Sequence, residues 1–540
     1  MLSIDGIDSL LFVGAGTLFL SYAEIHYKIK GVYSRLWQKA PEVIVDMPHR
    51  LEPETELPVV LLIKDSDPFP IEATRVEVKI RQNDQIKTSI FEINSGLITK
   101  PLWFQTIYVA TQDFKPGRLE VSADIFCVLD GKKVVFRNDN YKHSSGKPFV
   151  VHLAKEKLPK TTGWLYGDLH YHSNYTNDQV EFGAPLAATR KVARAIGLNF
   201  FCATDHSYDL DDLHDNYLQK DPELSKWTSL WDEIENLNSE TNDFIIVPGE
   251  EVSVGNKENK NVHFLALNNP EFLPGEGDGA EKWLRNKPTR SIANTLQNCN
   301  SNSVSFAAHP TTQPSFLEKL LVRRGSWKYE DFLHDGLHGL QIWNGCKSGL
   351  DDTVHVWKRL LLAGRRTLII GGNDAHGNFN RYRQISFPFW TMREHHDHLF
   401  GKVKTAVLLN EPLTVDNLMR AVKRGAMIVT DGPFMTLKIE NQTGAVAQIG
   451  ETISGDQFKV HLDCKSTDDF GQLHKTVLFY GDLKSQKESI VESVLIDNGH
   501  AFRKTFAFKA TGSQGYFRAE TTSIQAEQEF RCFTNPVWVK

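Results

Sequence analysis

Short apolar runs punctuate the whole chain, and what lies between them changes along its length. From residue 46 to 160, runs such as Leu57–Ile63, Arg75–Arg81, Trp103–Ala110 and Leu119–Leu129 are rich in β-branched and aromatic residues. Turn signals separate them, Lys115-Pro116-Gly117 and Asp130-Gly131 among these. Short strands at such spacing predict a β-sandwich. From 161 to 433 the runs alternate with helical patterns. Trp164–Leu169, Leu198–Ala203, Phe244–Val247, Val262–Leu267, Val304–Ala308, Gly339–Trp343 and Thr367–Ile370 read as strands. Pro185–Ile196, Leu224–Leu237, Ala280–Leu284, Ser291–Asn298 and Asp351–Leu362 read as helices. This alternation predicts a mainly parallel sheet, either open or closed into a β/α barrel. A further helix, Val415–Arg424, ends at Gly425 in the position of a C-cap. From 434 to 540 short strands return, predicting a second, smaller β-sandwich.

Residues 1–45 form a lead-in segment. Ser9–Ala23 carries no charge, but it is shorter than the about 20 apolar residues of a membrane-spanning helix. Asp5 and Asp8 precede it where a secretory signal would have a basic stretch. It is expected to pack on the body of the protein, with no transmembrane segment.

Composition narrows the function classes. With 41% apolar and 24% charged residues over 540 positions, the chain has the make-up of a globular protein with ample core. A formal net charge of −6 lacks the electrostatic footprint of a nucleic-acid binder. Six cysteines (Cys127, Cys202, Cys299, Cys346, Cys464 and Cys532) are widely spaced with no CxxC. They predict free thiols in a reducing compartment, hence a cytoplasmic location.

The candidate chemistry sits at the ends of the α/β-patterned runs. Asp168-Leu169-His170-Tyr171-His172 places two imidazoles on one face of a strand, since residues i and i+2 point the same way. Downstream come Asp205-His206, Gly249-Glu250-Glu251, His263, His309-Pro310 and Asn373-Asp374-Ala375-His376, each at or near a strand end. In parallel α/β sheets the loops at strand ends converge on one rim. Imidazole with carboxylate and no thiolate suits Zn, Mn or Fe in a catalytic role. Other groups predict less: His395, His396 and His398 read as solvated surface, and His334, His338 and His355 as structural residues. Tyr171, Tyr175 and Trp343 are candidates for an apolar pocket wall or for packing.

The ordered strings DLHYH, ATDH, PGEE, VHFLAL, AAHP and GNDAH resemble the motif series of the PHP (polymerase and histidinol phosphatase) superfamily of metal-dependent phosphoesterases. The longer strings YGDLHYHSNYTNDQVEFGAPL and GNDAHGNFNRYR are similar to its carbaryl-hydrolase-like branch. The resemblance implies a distorted (β/α)7 barrel flanked by N- and C-terminal β-sandwiches and carrying two or three divalent metal ions. By position, one ion would take His170, His172, Glu251 and Asp374. A second would share Glu251 and add His263 and His309. A third would take His206, His376 and Asp178, with Asn177 as the neighbouring alternative. Glu251 rather than Glu250 fits the bridging acid. The implied activity is a metal-dependent hydrolase acting on a small-molecule ester, foremost a phosphoester, with a metal-bridging hydroxide as nucleophile. His206, Glu251, Asp374 and His376 would be catalytic, and Arg381 and Arg383 would grip a phosphate. Asp168 and Asn373 would orient imidazoles. Hydrolysis of a carbamate or carboxylic ester at the same centre is the alternative, and a non-catalytic binding protein with a structural metal site is the reading from another class.

Overall fold

The computed structural model describes residues 40–140, 146–177, 183–214, 216–278, 286–314, 316–380, 384–387, 390–393, 398–510 and 514–540. Ser9–Ala23 and most of the lead-in therefore lie outside the described residues. Among the described residues no helix is long and apolar enough to cross a membrane.

The site is positioned by ten strands of one large sheet. They are β1 (Trp164–His172), β2 (Phe200–His206), β3 (Ile245–Gly255), β4 (Asn261–Leu267), β5 (Val304–Ala307), β6 (Gly339–Asn344), β7 (Leu368–Gly372), β8 (Lys404–Leu408), β9 (Met427–Thr430) and β10 (Gln528–Thr534). Their order is β7-β6-β5-β4-β3-β2-β1-β8-β9-β10. Beyond β7, Ala375–His376 pairs in parallel with Tyr171–His172 of β1, so the chain that leaves the first strand of the row returns to the seventh.

The expected (β/α)7 barrel is not what the chain forms. Strand accounts for 46% and helix for 15% of the described residues, so the fold is dominated by β-sheet. β1–β2, β2–β3, β5–β6 and β6–β7 are parallel. β3–β4, β4–β5, β1–β8, β8–β9 and β9–β10 are antiparallel. For β3–β4 the reason is connection length. A parallel crossover needs a dozen or more residues, whereas only residues 256–260 separate β3 from β4, and the chain turns back as a hairpin. Helices form over expected patterns, among them α1 (Leu186–Ala195), α2 (Ser225–Ser239), α3 (Leu350–Leu362) and α4 (Val415–Arg424). In α4 the Thr414 hydroxyl accepts from Asn417 N, and Gly425 at φ +82° closes the C-terminus. The helix expected over Ala280–Leu284 lies outside the described residues.

Both faces of the central strands are buried, and the side chains alternate between two cores. Leu169, Phe200, Cys202, Ile245, Val247 and Ile370 share one of these. Phe264, Ala266, Leu340, Ile342 and Ile369 belong to another on the opposite face. At the N-terminal side a three-stranded sheet (Glu42–Asp46, Leu57–Lys64, Leu102–Val109) and a seven-stranded one containing Ile71–Gln82 and Gly117–Leu129 share a core of Val59, Leu61, Val76, Val121 and Ile125. At the C-terminal side a four-stranded sheet packs on Gln472–Asp482 and Gly515–Gln525, which continue the large sheet beyond β10.

Candidate metal centre

Strand register gathers the ligand-type residues. The i, i+2 geometry of β1 brings His170 and His172 together, with Nε2 atoms 3.2 Å apart. The parallel pairing of β2 with β3 aligns His206 with Glu251, and His206 Nδ1 lies 3.1 Å from Glu251 Oε2. The β3–β4 hairpin sets His263 opposite Ser253, diagonal to Glu251, with Nδ1 2.7 Å from Glu251 Oε1. Just past β5, His309 puts Nε2 3.0 Å from the same oxygen. Past β7, the pairing with β1 aligns His376 with His172; Asp374 Oδ1 is 3.1 Å from His172 Nε2 and 3.4 Å from His170 Nε2. Asp374 and His309 adopt positive φ (+53° and +25°), conformations that cost energy for non-glycine residues and concentrate at functional sites.

Among the described residues three sets of donor atoms result, each within 4.8 Å of one another: His170, His172, Glu251 and Asp374; His206, Glu251 and His263; His172, His206 and His376. Glu251 belongs to two of them, and Glu250 to none. Glu250 points to the other side of β3, where its Oε1 accepts from Leu273 N. His309 touches Glu251 without joining a set. Asp178, Arg381 and Arg383 lie outside the described residues.

The electrostatics fit a cation. His309 N donates to Gln341 Oε1, which fixes that atom as the amide oxygen. His170 Nδ1, 2.9 Å from it, must donate to it. The Nε2 of neutral His170 is then a lone pair, and it faces His172 Nε2, Glu251 Oε1 and Asp374 Oδ1. Acceptors converging in a buried place need a positive charge among them. A proton can supply it. Burial opposes charge on His170, yet the Glu251 and Asp374 carboxylates prevail and raise its pKa to about 9. Burial also opposes charge on the two carboxylates, but the histidines hold Glu251 and Asp374 well below the ordinary range. His172 is lowered by burial and by His376 and His206. Glu251 Oε2 and His263 Nδ1 are buried and have no hydrogen-bond partner among the described residues. The chemistry of the donor set, imidazole and carboxylate converging on one place, is that of a divalent transition-metal site.

Supporting residues include several that the motifs did not mark. Gln341 in β6 holds both His170 and His309. Asn344, at the end of that strand, donates to Asp374 Oδ2 at 3.1 Å. Thr176 Oγ1 lies 3.3 Å from His172 Nδ1 and accepts from His206 N. Asp278 Oδ2 lies 2.6 Å from His263 Nε2. An isolated amide in an apolar strand (Gln341) is the one signal of this kind in the sequence.

The side chains of Asp168 and Asn373 bond to each other rather than to a ring of the donor sets. Asn373 Nδ2 donates to Asp168 Oδ2, which also accepts from Gly401 N, so the pair fixes backbone beneath the site. Burial lifts the Asp168 carboxyl to about 6. His398 is not solvated surface: it is half-buried, and its Nδ1 lies 2.9 Å from the Asn373 carbonyl. His395 and His396 lie outside the described residues. Tyr171 and Trp343 are packing residues, fully buried in the cores, while Tyr175 donates to Glu233.

No family model matches the chain, and no curated protein matches it. Solved structures resemble it only weakly. A Paenibacillus cycloisomaltooligosaccharide glucanotransferase has TM-score 0.18 and 9% identity over 91% of this chain and 71% of that one. A Parabacteroides merdae β-glucuronidase has TM-score 0.17 and 7% identity over 92% and 65%. An Escherichia coli α-2-macroglobulin fragment has TM-score 0.16 and 9% identity over 93% and 99%. Likeness at this level carries no argument about this protein's activity.

Proposed function

We propose that the chain is a metal-dependent hydrolase of the phosphoesterase type, acting on a small-molecule ester. The observation that carries this reading is the convergence of His170, His172, Glu251 and Asp374, whose ligand atoms face one another in a buried place and need a positive charge among them. The ordered motifs that resemble the PHP superfamily support the same class of chemistry. A reducing, cytoplasmic location is part of the proposal, supported by the wide spacing of the six cysteines without a CxxC, four of them buried.

His170, His172, Glu251 and Asp374 would hold one divalent ion, and His206, Glu251 and His263 a second. The set His172, His206 and His376 offers donors for a third. Bound cations of this kind lower the pKa of a water and neutralise charge that develops on a substrate oxygen. The chain's own contribution is placement. Glu251, shared between two sets, fixes their spacing. Gln341 and Thr176 hold the rings of His170 and His172 by their Nδ1 atoms, leaving both Nε2 atoms toward the centre. Asn344 takes Asp374 Oδ2 and leaves Oδ1 facing the histidines. Asp374, 22% exposed at its side chain where His170 and Glu251 are 0%, marks the side from which substrate and water enter.

The test is a panel of p-nitrophenyl phosphate, bis-p-nitrophenyl phosphate and p-nitrophenyl acetate, with the Mn²⁺- or Zn²⁺-reconstituted protein. Turnover of a phosphoester, lost in His170→Ala and in Asp374→Ala, is expected. Turnover of the carboxylic ester alone would refute the phosphoesterase reading. No turnover of any ester would favour a binding protein with a structural metal site.

A further inference from the structure

We infer that Asp278 is a positioning residue that selects the metal-binding tautomer of His263, against a competing donor, Arg324. The inference rests on the hydrolase reading and deepens it at the His206–Glu251–His263 set. His263 turns Nδ1 toward Glu251 Oε1 at 2.7 Å. Its other ring nitrogen, Nε2, has two neighbours of opposite kind. Asp278 Oδ2 lies 2.6 Å from it and Arg324 Nη1 also 2.6 Å from it. Arg324 and Asp278 are themselves paired, Nη2 to Oδ2 at 2.7 Å. The Asp278 side chain is fully buried, and the backbone of His263 is fixed by Trp327, whose Nε1 donates to its carbonyl. Asp278 belongs to none of the three donor sets.

One ring nitrogen cannot donate and accept at once. A guanidinium only donates, so a bond from Arg324 requires a lone pair on Nε2 and the proton on Nδ1. An ionised carboxylate only accepts, so a bond to Asp278 requires the proton on Nε2 and a lone pair on Nδ1. A ligand nitrogen must offer its lone pair. Coordination through Nδ1 therefore requires the proton on Nε2, the state that Asp278 favours, and Arg324 favours the ring state that cannot coordinate. Asp278 accepts the hydrogen bond from Nε2–H, and its pairing with Arg324 draws the guanidinium off the ring.

The competition gives the experiment a readout that mere packing would not. Co²⁺ is titrated into the metal-free full chain, followed by visible absorption and by elemental analysis after dialysis, for wild type, Asp278→Ala and the double variant Asp278→Ala/Arg324→Met. Far-UV circular dichroism verifies that each is folded, and Asp278→Asn serves if the alanine variant is not. Asp278→Ala leaves Arg324 as the sole partner of Nε2. One Co²⁺-binding step is expected to weaken by about 10–100-fold, while the step at His170, His172, Glu251 and Asp374 stays as in wild type. The double variant is expected to recover part of the loss, because the competing donor is gone. Unchanged binding in Asp278→Ala, equal weakening of both steps, or a double variant no better than the single one would overturn the inference while leaving the hydrolase reading intact. Absence of Co²⁺ binding by wild type would remove both.

Discussion

At the residue scale the centre depends on side chains that hold its ligands. Gln341 is 1% exposed in an apolar strand, and its one amide oxygen serves both His170 Nδ1 and His309 N. Gln341→Leu keeps the bulk and removes both bonds, stranding two buried donors. A loss of about 1–3 kcal/mol in urea unfolding is expected, with weaker metal uptake by dialysis; unchanged uptake would mean that the amide does not orient His170. Most of the candidate ligands were legible in the sequence because their types are diagnostic and they lie on or just past apolar strand-like runs. Gln341, Asp278 and Arg324 were not. A glutamine inside a strand and a lone carboxylate or arginine in a loop carry no spacing that points to a partner, and only folding brings them within 3 Å of His170 and His263. His398 misled for the opposite reason. Its charged, histidine-rich neighbours read as surface, while its own ring turns inward to the Asn373 carbonyl.

At the scale of elements, the site exists because β7 approaches β1 closely enough for Asp374 to meet His170 and His172. Gly372 permits that approach. A Cβ built there would stand 2.6 Å from His170 Cβ and 2.8 Å from its backbone N. Gly372→Ala is expected to destabilise the protein by about 1–3 kcal/mol, as overpacking does. It should also lower metal affinity at His170, His172, Glu251 and Asp374, because the strands that carry them must part. Thermal unfolding with metal titration checks this, and wild-type values in both would show that the strands have slack. Strand and helix positions were largely readable from apolar periodicity, as α1 after Pro185 and α4 between Thr414 and Gly425 illustrate. The direction of pairing was not, because a strand such as β4 looks the same in sequence whether it runs with or against its neighbour.

At the scale of the whole molecule, the β-patterned C-terminal region joins the sheet that carries the site. β10 pairs with β9, and Asn535 Oδ1 and Nδ2 bond to the backbone of Ile369 in β7. Periodicity alone could not show this, since runs of short strands read alike whether they form a separate sandwich or extend an existing sheet. Arg50 ties the ends of the chain together: its guanidinium bonds Asp469 and Glu52, all three side chains being buried. Asp431, between β9 and the C-terminal region, accepts from Arg531 N at 2.7 Å, and burial lifts its carboxyl from 3.8 to about 6. The native state thus keeps a proton that the unfolded chain releases near its ordinary pKa. This contribution to stability is fully present below about pH 4, is lost as the pH rises through about 6, and amounts to up to about 3 kcal/mol. Asp431→Asn carries no such charge. Its stability relative to wild type, from urea unfolding at several pH values, should rise between pH 4 and 6 and level off above; a difference that does not vary with pH would contradict a buried, titrating Asp431.

The central claim is that Glu251 and the histidines around it hold divalent metal. The most direct measurement is metal stoichiometry, by elemental analysis after equilibrium dialysis against Mn²⁺ or Zn²⁺, of wild type and Glu251→Gln. Because Glu251 is shared by two donor sets, wild type is expected to retain about two ions per chain, as a paired-metal centre does, and Glu251→Gln fewer than about one. A wild-type protein that retains no metal, or a Glu251→Gln variant that retains the full complement, would contradict the account.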